Sequence, residues 1–299
     1  LWIQKRNKEM NQYEVEKKYL PSDFTINCNG RLVDLTNPVV MGIINITPDS
    51  FYEKSRKNTT DAVLQRVEQI IDEGGQMVDV GAYSSRPGAD DVPEEEEWQR
   101  LWPVLSAIRK QWPDLLISLD TFRGRIAEKS VVEFGVDIIN DISAGQLDDS
   151  MFDTIARLNV PYILMHIQGD LKNMQKNPQY NNVTGEVLLF LAQKIDELRS
   201  RGVSDIIVDP GFGFGKSIDH NFELLHNIEQ FKMFELPLLV GVSRKSMIYR
   251  FLGGSPETAL NGTTVVNTLA LTGGAKILRV HDVKEAVECV NLVTKTGQW

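Results

Sequence analysis

Three polar residues end apolar runs in this chain: Asp120 closes LLISLD, Asn140 sits in VDIIND and Asp209 lies in DIIVDP. A carboxylate withdrawn from water is costly unless it accepts strong hydrogen bonds. A flat heterocycle with adjacent ring N–H and exocyclic NH2 donors would supply them, as a guanidinium does. Capping of the next helix would explain any one of these residues alone; three at three run ends favour a shared binding cavity. Cations stand at comparable places: Arg86 in SSRPG, Lys245 in GVSRKS, and Arg279 and His281 in RVHDV. Ser243 to Ser246 also read as the opening of a helix, whose unpaired N–H groups suit an anion. Asn45, after VVMGII, offers a neutral amide oxygen of the kind Mg2+ accepts while taking its other ligands from water and phosphate. The adjoining Thr47-Pro48-Asp49-Ser50 could serve only as a turn and an N-cap. Recognition of a planar nitrogenous ring beside a bound anion is the chemistry implied.

The stretch DPGFGFGKS, residues 209–217, resembles a phosphate cradle and fails the test of spacing. A nucleotide P-loop needs four residues between its first glycine and the Gly-Lys pair, whereas Gly211 and Gly215 have three between them. The dinucleotide pattern fails as well, because the third glycine would fall at Lys216.

The elements that must carry these residues repeat as an apolar run, a polar or glycine-rich loop and a helical pattern. The runs begin at Val39, Gln76, Leu115, Val136, Pro161, Asp205, Pro237 and Ala275. Parallel strands buried on both faces read as continuous apolar runs, and eight strand-helix units predict a (β/α)8 TIM barrel, with an open doubly wound sheet as the alternative. In such a barrel the carboxyl ends of the strands build the active site, and the polar residues crowd there. FTINCNGRLVDL, around Asn29-Gly30, predicts a β-hairpin that caps one end. Residues 1–22 read as an N-terminal extension, in which Met10 could be the natural start, and residues 23–299 as one domain. Glu94 to Glu97 follow Pro93 and read as structural, offsetting a helix dipole.

Composition excludes several classes. The net charge of −9 with no basic block argues against nucleic-acid binding, so an anionic substrate needs a local basic site. No apolar run approaches membrane-spanning length, and LWIQKRNKEM cannot form a signal-peptide core. Cys28 and Cys289 form no CxxC, so a zinc cluster and a disulfide framework are not expected, and a cytoplasmic location is. His281 lacks a second histidine or cysteine at zinc spacing.

Taken together, MGIINITPDSF, VDVGAYSSRPGA, SLDT, INDISAG, MHIQG with MQKNPQY, DPGFGFGK, GVSRKSMI and AKILRVHDV strongly resemble the dihydropteroate synthase family, from about Phe24 to the C-terminus. The resemblance implies a pterin-binding barrel enzyme of folate biosynthesis. It would condense 6-hydroxymethyl-7,8-dihydropterin pyrophosphate with p-aminobenzoate, giving 7,8-dihydropteroate and pyrophosphate. Carried over, the family's roles give Asp120, Asn140, Asp209 and Lys245 to the pterin ring, with Met165 beside it. They give Asn45, Arg86, Arg279 and His281 to the pyrophosphate, Asn45 through Mg2+. The p-aminobenzoate site would comprise Ser85, Arg86, Pro87, Phe214, Lys245 and Ser246, and the residues made catalytic are Asp120, Lys245 and Arg86. Sulfonamides would be inhibitors and the assembly a homodimer. The chain departs from the family where Ser84-Ser85-Arg86 stands for Ser-Thr-Arg and where YEKSR follows Phe51 in place of Asp-Gly-Gly. A methyltetrahydrofolate-dependent methyltransferase would share the pterin site without needing GVSRKS and RVHDV, and a silent pterin-binding paralogue would not need Asn45, Asp120, Lys245 and His281 intact.

Overall fold

Each of the eight apolar runs forms a parallel strand: β3 (Val39–Asn45), β4 (Met77–Gly81), β5 (Leu116–Asp120), β6 (Ile138–Asp141), β7 (Tyr162–Met165), β8 (Ile206–Asp209), β9 (Leu239–Val240) and β10 (Ile277–Val280). The computed structural model describes residues 24–46, 53–83, 91–169, 174 and 178–297. Between the strands lie α1 (Glu53–Asp72), α2 (Glu94–Gln111), α3 (Gly124–Phe134), α4 (Met151–Leu158), α5 (Val183–Ser200), α6 (Ile218–His226), α7 (Ser246–Phe251) and α8 (Leu260–Thr272), and α9 (Val283–Thr296) follows the last strand. The sheet runs in the order β8-β7-β6-β5-β4-β3-β10-β9. A parallel bridge from Val208 to Leu238 brings β8 to the β9 side, so the sheet closes as a (β/α)8 barrel and the open-sheet alternative falls.

Strand alternation divides every run into two faces. Met41, Met77, Leu116, Ile138, Ile163 and Ile207 belong to one buried cluster, in the barrel interior, whereas the interleaved Val40, Val78, Ile117, Ile139, Leu164 and Val208 belong to another, shared with the helices. Burial on both faces is why the runs carry so few polar residues.

The hairpin β1 (Thr25–Cys28) and β2 (Arg31–Asp34) turns at Asn29 and Gly30, both at positive φ. Its Ile26 and Cys28, with Leu35, join the interior cluster. Asn29 donates through Nδ2 to the Gly135 carbonyl at 3.2 Å, and the Asn27 amide donates to Asp205 at 3.1 Å. Both acceptors lie within three residues before a strand, so the hairpin caps the amino-terminal end of the barrel and leaves the carboxyl end for chemistry. Cys28 and Cys289 are buried free thiols, and among the described residues no helix is long and apolar enough to cross a membrane.

Candidate active site

On β4, β5, β6, β8 and β10 the apolar layer gives way to a polar one two residues further along the inward face. Asp79 follows Met77, Ser118 follows Leu116, Asn140 follows Ile138, Asp209 follows Ile207 and Arg279 follows Ile277, all at the strand period. At the rim, Asn45, Gly81, Asp120 and Asn140 lie side by side in register on β3 to β6. Gly81 leaves room for its neighbour: a Cβ there would stand 3.2 Å from that of Asp120.

Asp79 is the site residue that sequence reasoning missed, although a lone carboxylate inside the run QMVDVG was a signal. It is fully buried and accepts from Ser118 Oγ at 2.6 Å, Asn140 Nδ2 at 3.1 Å and Arg279 Nε at 2.6 Å. An ion withdrawn from water costs several kcal/mol, roughly, unless such donors compensate it. Arg279 also donates through Nη2 to Asp120 Oδ2 at 2.8 Å, so one guanidinium joins the two carboxylates. Burial works against the Arg279 charge, but Asp79 and Asp120 outweigh it and raise its pKa. Burial pushes the Asp120 carboxyl up to about 7, with Arg279 opposing and Asp79 adding to the rise.

Asp209 is held from within its own loop, Oδ1 accepting from the Gly211 amide at 2.7 Å. Burial raises its pKa, and Lys245, the Gly211 N–H and Arg279 act against that rise. The glycines of DPGFGFGKS are required by a close approach to the segment after β7. Gly211 has φ +70°, and a Cβ on it would stand 1.9 Å from the His166 carbonyl oxygen; at Gly215, φ +63°, the distance to the Gln168 carbonyl would be 2.3 Å. Lys216 cradles no phosphate: it is buried, with Nζ at 2.9 Å from His166 Nδ1, 2.9 Å from the Gly211 carbonyl and 3.0 Å from that of Phe214.

Lys245 is the N-cap residue of α7, and its Nζ donates to the Phe212 carbonyl and stands 4.7 Å from the Phe214 ring centroid. Burial pulls its pKa down to about 8; Asp209 resists the fall and Arg279 adds to it. Met165, Ile142, Ile167 and Met174 form a buried apolar cluster, with Phe214 and Phe122 packed against it. Ser246 follows Lys245 as the first residue of α7.

The last strand end is braced from two sides. The His281 carbonyl accepts from Arg66 Nη2 on α1 at 2.5 Å, and its amide donates to Ser243 Oγ at 3.2 Å. Arg244, one of the cations of GVSRKS, is committed to Asp282 by paired bonds of 2.9 and 2.8 Å and to the Pro256 carbonyl. It is therefore a brace, and Lys245 is the residue of that motif that faces Asp209. Asn45 is the single exposed residue of β3, at its carboxyl end.

Ser85, Arg86 and Pro87 lie outside the described residues, as do Thr47 to Ser50, YEKSR as far as Tyr52 and the extension at 1–22. Glu97 belongs to more than a helix dipole: it is fully buried, accepts from Thr121 Oγ1 at 2.7 Å and pairs with Arg123. Helix capping does not account for the strand-end residues, because α3, α4 and α6 take Arg123, Ser150 and Ser217 at their N-cap positions. The arrangement can therefore accept hydrogen bonds from one edge of a planar ring at Asp120, Asn140 and Asp209. Lys245 and Arg279 supply positive charge beside that edge.

The family model described as "Pterin binding enzyme" matches residues 41–281. The dihydropteroate synthase of Haemophilus influenzae is 41% identical over 257 residues, covering 85% of this chain and 92% of that protein. Among solved structures, the Yersinia pestis dihydropteroate synthase in complex with a sulfonamide drug has a TM-score of 0.84 at 37% identity, covering 91% of this chain and 98% of the other. The Xanthomonas albilineans dihydropteroate synthase with 4-aminobenzoic acid also has a TM-score of 0.84, at 36% identity, covering 92% and 98%.

Proposed function

This chain belongs to the pterin-binding enzyme family, and from that premise we propose how its residues carry out the dihydropteroate synthase reaction. The enzyme is a transferase that condenses 6-hydroxymethyl-7,8-dihydropterin pyrophosphate with p-aminobenzoate to give 7,8-dihydropteroate and pyrophosphate. One observation carries the assignment of roles: Asp120, Asn140 and Asp209 share the barrel mouth with two cations, Arg279, bonded to Asp120, and Lys245, bonded to the loop that follows Asp209.

Asp209 accepts from the adjacent N–H and NH2 donors of the pterin ring, in the manner of a carboxylate paired with a guanidinium. Asn140 spends its Nδ2 on Asp79, so its Oδ1 is the end that meets a ring donor. Met165 packs along the ring face. Arg279, His281 and Arg86 hold the pyrophosphate, and Phe214, Lys245 and Ser246, with Ser85, Arg86 and Pro87, hold p-aminobenzoate.

The bond between the methylene carbon and the pyrophosphate oxygen breaks first, and its electron pair leaves with the pyrophosphate. The dihydropterin spreads the resulting positive charge, and the Asp120 carboxylate faces it. The aniline nitrogen then forms the new C–N bond and gives up a proton; it is nucleophilic without an enzyme base. Arg279 links the two ends of the process, because an anion that draws on its guanidinium leaves Asp120 with more uncompensated charge to offer the cation.

Mg2+ belongs to this proposal. Among the described residues no group of three or more His, Cys, Asp and Glu side chains could hold a metal, so a protein cage is not the fit. An exposed amide oxygen at Asn45 suits a cation that takes its remaining ligands from phosphate and water. When bound, the ion would neutralise charge on the leaving group. Competition by sulfonamides, assembly as a homodimer and a cytoplasmic location complete the reading, the last supported by two buried free thiols.

Turnover with both substrates, followed by release of pyrophosphate, tests the proposal. Release that depends on the dihydropterin pyrophosphate and yields 7,8-dihydropteroate when p-aminobenzoate is added is expected. A protein that binds the pterin and releases nothing refutes it.

A further inference from the structure

Lys216 has no part in the chemistry above, yet it is a fully enclosed lysine placed against the site. Its Nζ meets four partners at hydrogen-bond distance: His166 Nδ1 at 2.9 Å, the Gly211 carbonyl at 2.9 Å, the Phe214 carbonyl at 3.0 Å and, more loosely, the His166 carbonyl at 3.4 Å. Burial pulls the Lys216 pKa well below the ordinary lysine value, Asp209 resisting the fall and Lys245 adding to it, and the partners share its N–H donors. Burial, with the Lys216 charge adding to it, pushes the His166 imidazole down to about 2, which keeps the ring neutral, and in the tautomer protonated at Nε2 its Nδ1 accepts from Lys216.

The carbonyls that Lys216 binds belong to the loop that sets two recognition groups. Gly211, whose carbonyl it holds, donates its own amide to Asp209 at 2.7 Å, and the Phe214 amide donates to the Gly211 carbonyl at 3.1 Å. The same loop is tied from elsewhere at intervening points: Lys245 takes the Phe212 carbonyl, Tyr180 Oη donates to that of Gly215 at 2.9 Å, and Asn221 Oδ1 accepts from the Gly213 amide at 2.7 Å. Lys216 alone among these groups holds both the residue that fixes Asp209 and the residue that carries the Phe214 ring.

We propose that Lys216 is a positioning residue for both substrates, stapling the loop of residues 210–216 to His166 so that Asp209 and Phe214 keep a fixed separation. The inference rests on the assignment of Asp209 to the pterin and Phe214 to the second ring. A lysine here serves better than an apolar residue of equal length because it donates to the Phe214 carbonyl and adds a second donor to that of Gly211.

Lys216→Met keeps the stem and removes the N–H donors. Loss of the staple should weaken pterin binding and raise the KM for p-aminobenzoate, each by about tenfold, because small misplacements of recognition groups are costly. Saturating turnover should stay within about threefold, since the atoms facing the reacting carbon are untouched. Amide exchange should accelerate at residues 210–216 and hardly elsewhere. Unchanged affinity for both substrates, a fall confined to saturating turnover, or faster exchange spread over the whole barrel would each overturn the proposal. Should Lys216→Met fail to fold, His166→Phe removes the ring partner and leaves the backbone carbonyls; it should show the same pattern more weakly, and unaltered binding with unaltered loop exchange counts against the staple. Asp209→Asn separates the two readings. If it binds pterin as the wild type does, the assignment of Asp209 is wrong; if it loses pterin while Lys216→Met does not, the staple alone is wrong.

Discussion

Replacing Asp120 by Asn keeps its shape and one acceptor and removes a charge that should act only as the pterin methylene becomes cationic. At about 4 Å and an effective dielectric near 20, that attraction is roughly 4 kcal/mol, or about a thousandfold in rate. The variant loses this Asp120 contribution in full, while Arg279, which donates to Asp120 at 2.8 Å, remains. The wild type also loses the charge as pH falls, because burial sets the Asp120 carboxyl at about 7. The active form is the carboxylate, so activity is present above that pKa and lost below it. About nine-tenths of the free enzyme is ionised at pH 8 and about one-tenth at pH 6. The wild-type to Asp120→Asn ratio of kcat/KM should therefore be about a thousand at pH 8 and roughly a hundred at pH 6. Single-turnover release of pyrophosphate across that range, with calorimetric binding of an uncleavable pterin analogue, measures rate and affinity separately. Wild-type release by the variant, or a deficit independent of pH, would refute the assignment of cation stabilisation to this carboxylate.

Lys245 should set the opposite limb: burial brings its ammonium down to about 8, so the charged form is lost as pH rises through that value. The kcat/KM profile should be bell-shaped between the two groups, and Lys245→Arg should shift its alkaline limb upward; an unmoved limb assigns it to another residue. Gly211→Ala would place a Cβ 1.9 Å from the His166 carbonyl at φ +70°, and a loss of about 3 kcal/mol or more is expected, visible as a fall of roughly 6 to 12 °C in Tm. A Tm within a degree of wild type would mean that the loop has room the geometry denies it. Asn45→Ala should leave the fold intact and weaken pyrophosphate binding only when Mg2+ is present, as followed by calorimetry with and without the ion; an unchanged metal dependence removes Asn45 from the site.

Much of this molecule was legible along the chain. Runs such as VDIIND and DIIVDP show their strands because a parallel strand buried on both faces can hold few polar residues before its end. Chain direction then collects Asp120, Asn140, Asp209 and Lys245 at one mouth of the barrel, without reference to any contact. Spacing alone also ruled out a phosphate cradle in DPGFGFGKS. What the chain could not show is which groups meet. Asp79 sits mid-run, and only the inward or outward sense of its strand makes it a buried anchor for Arg279, 200 residues away. Arg244 and Lys245 are adjacent in sequence, yet one is spent on Asp282 and the other turns to the Phe212 carbonyl. Lys216 ends the glycine-rich stretch and could have faced solvent; it turns beneath the loop because His166, 50 residues earlier, offers it an acceptor there. Hydrophobic periodicity is written locally, but the pairing of buried charges depends on closure of the sheet, which decides the neighbours of each strand end.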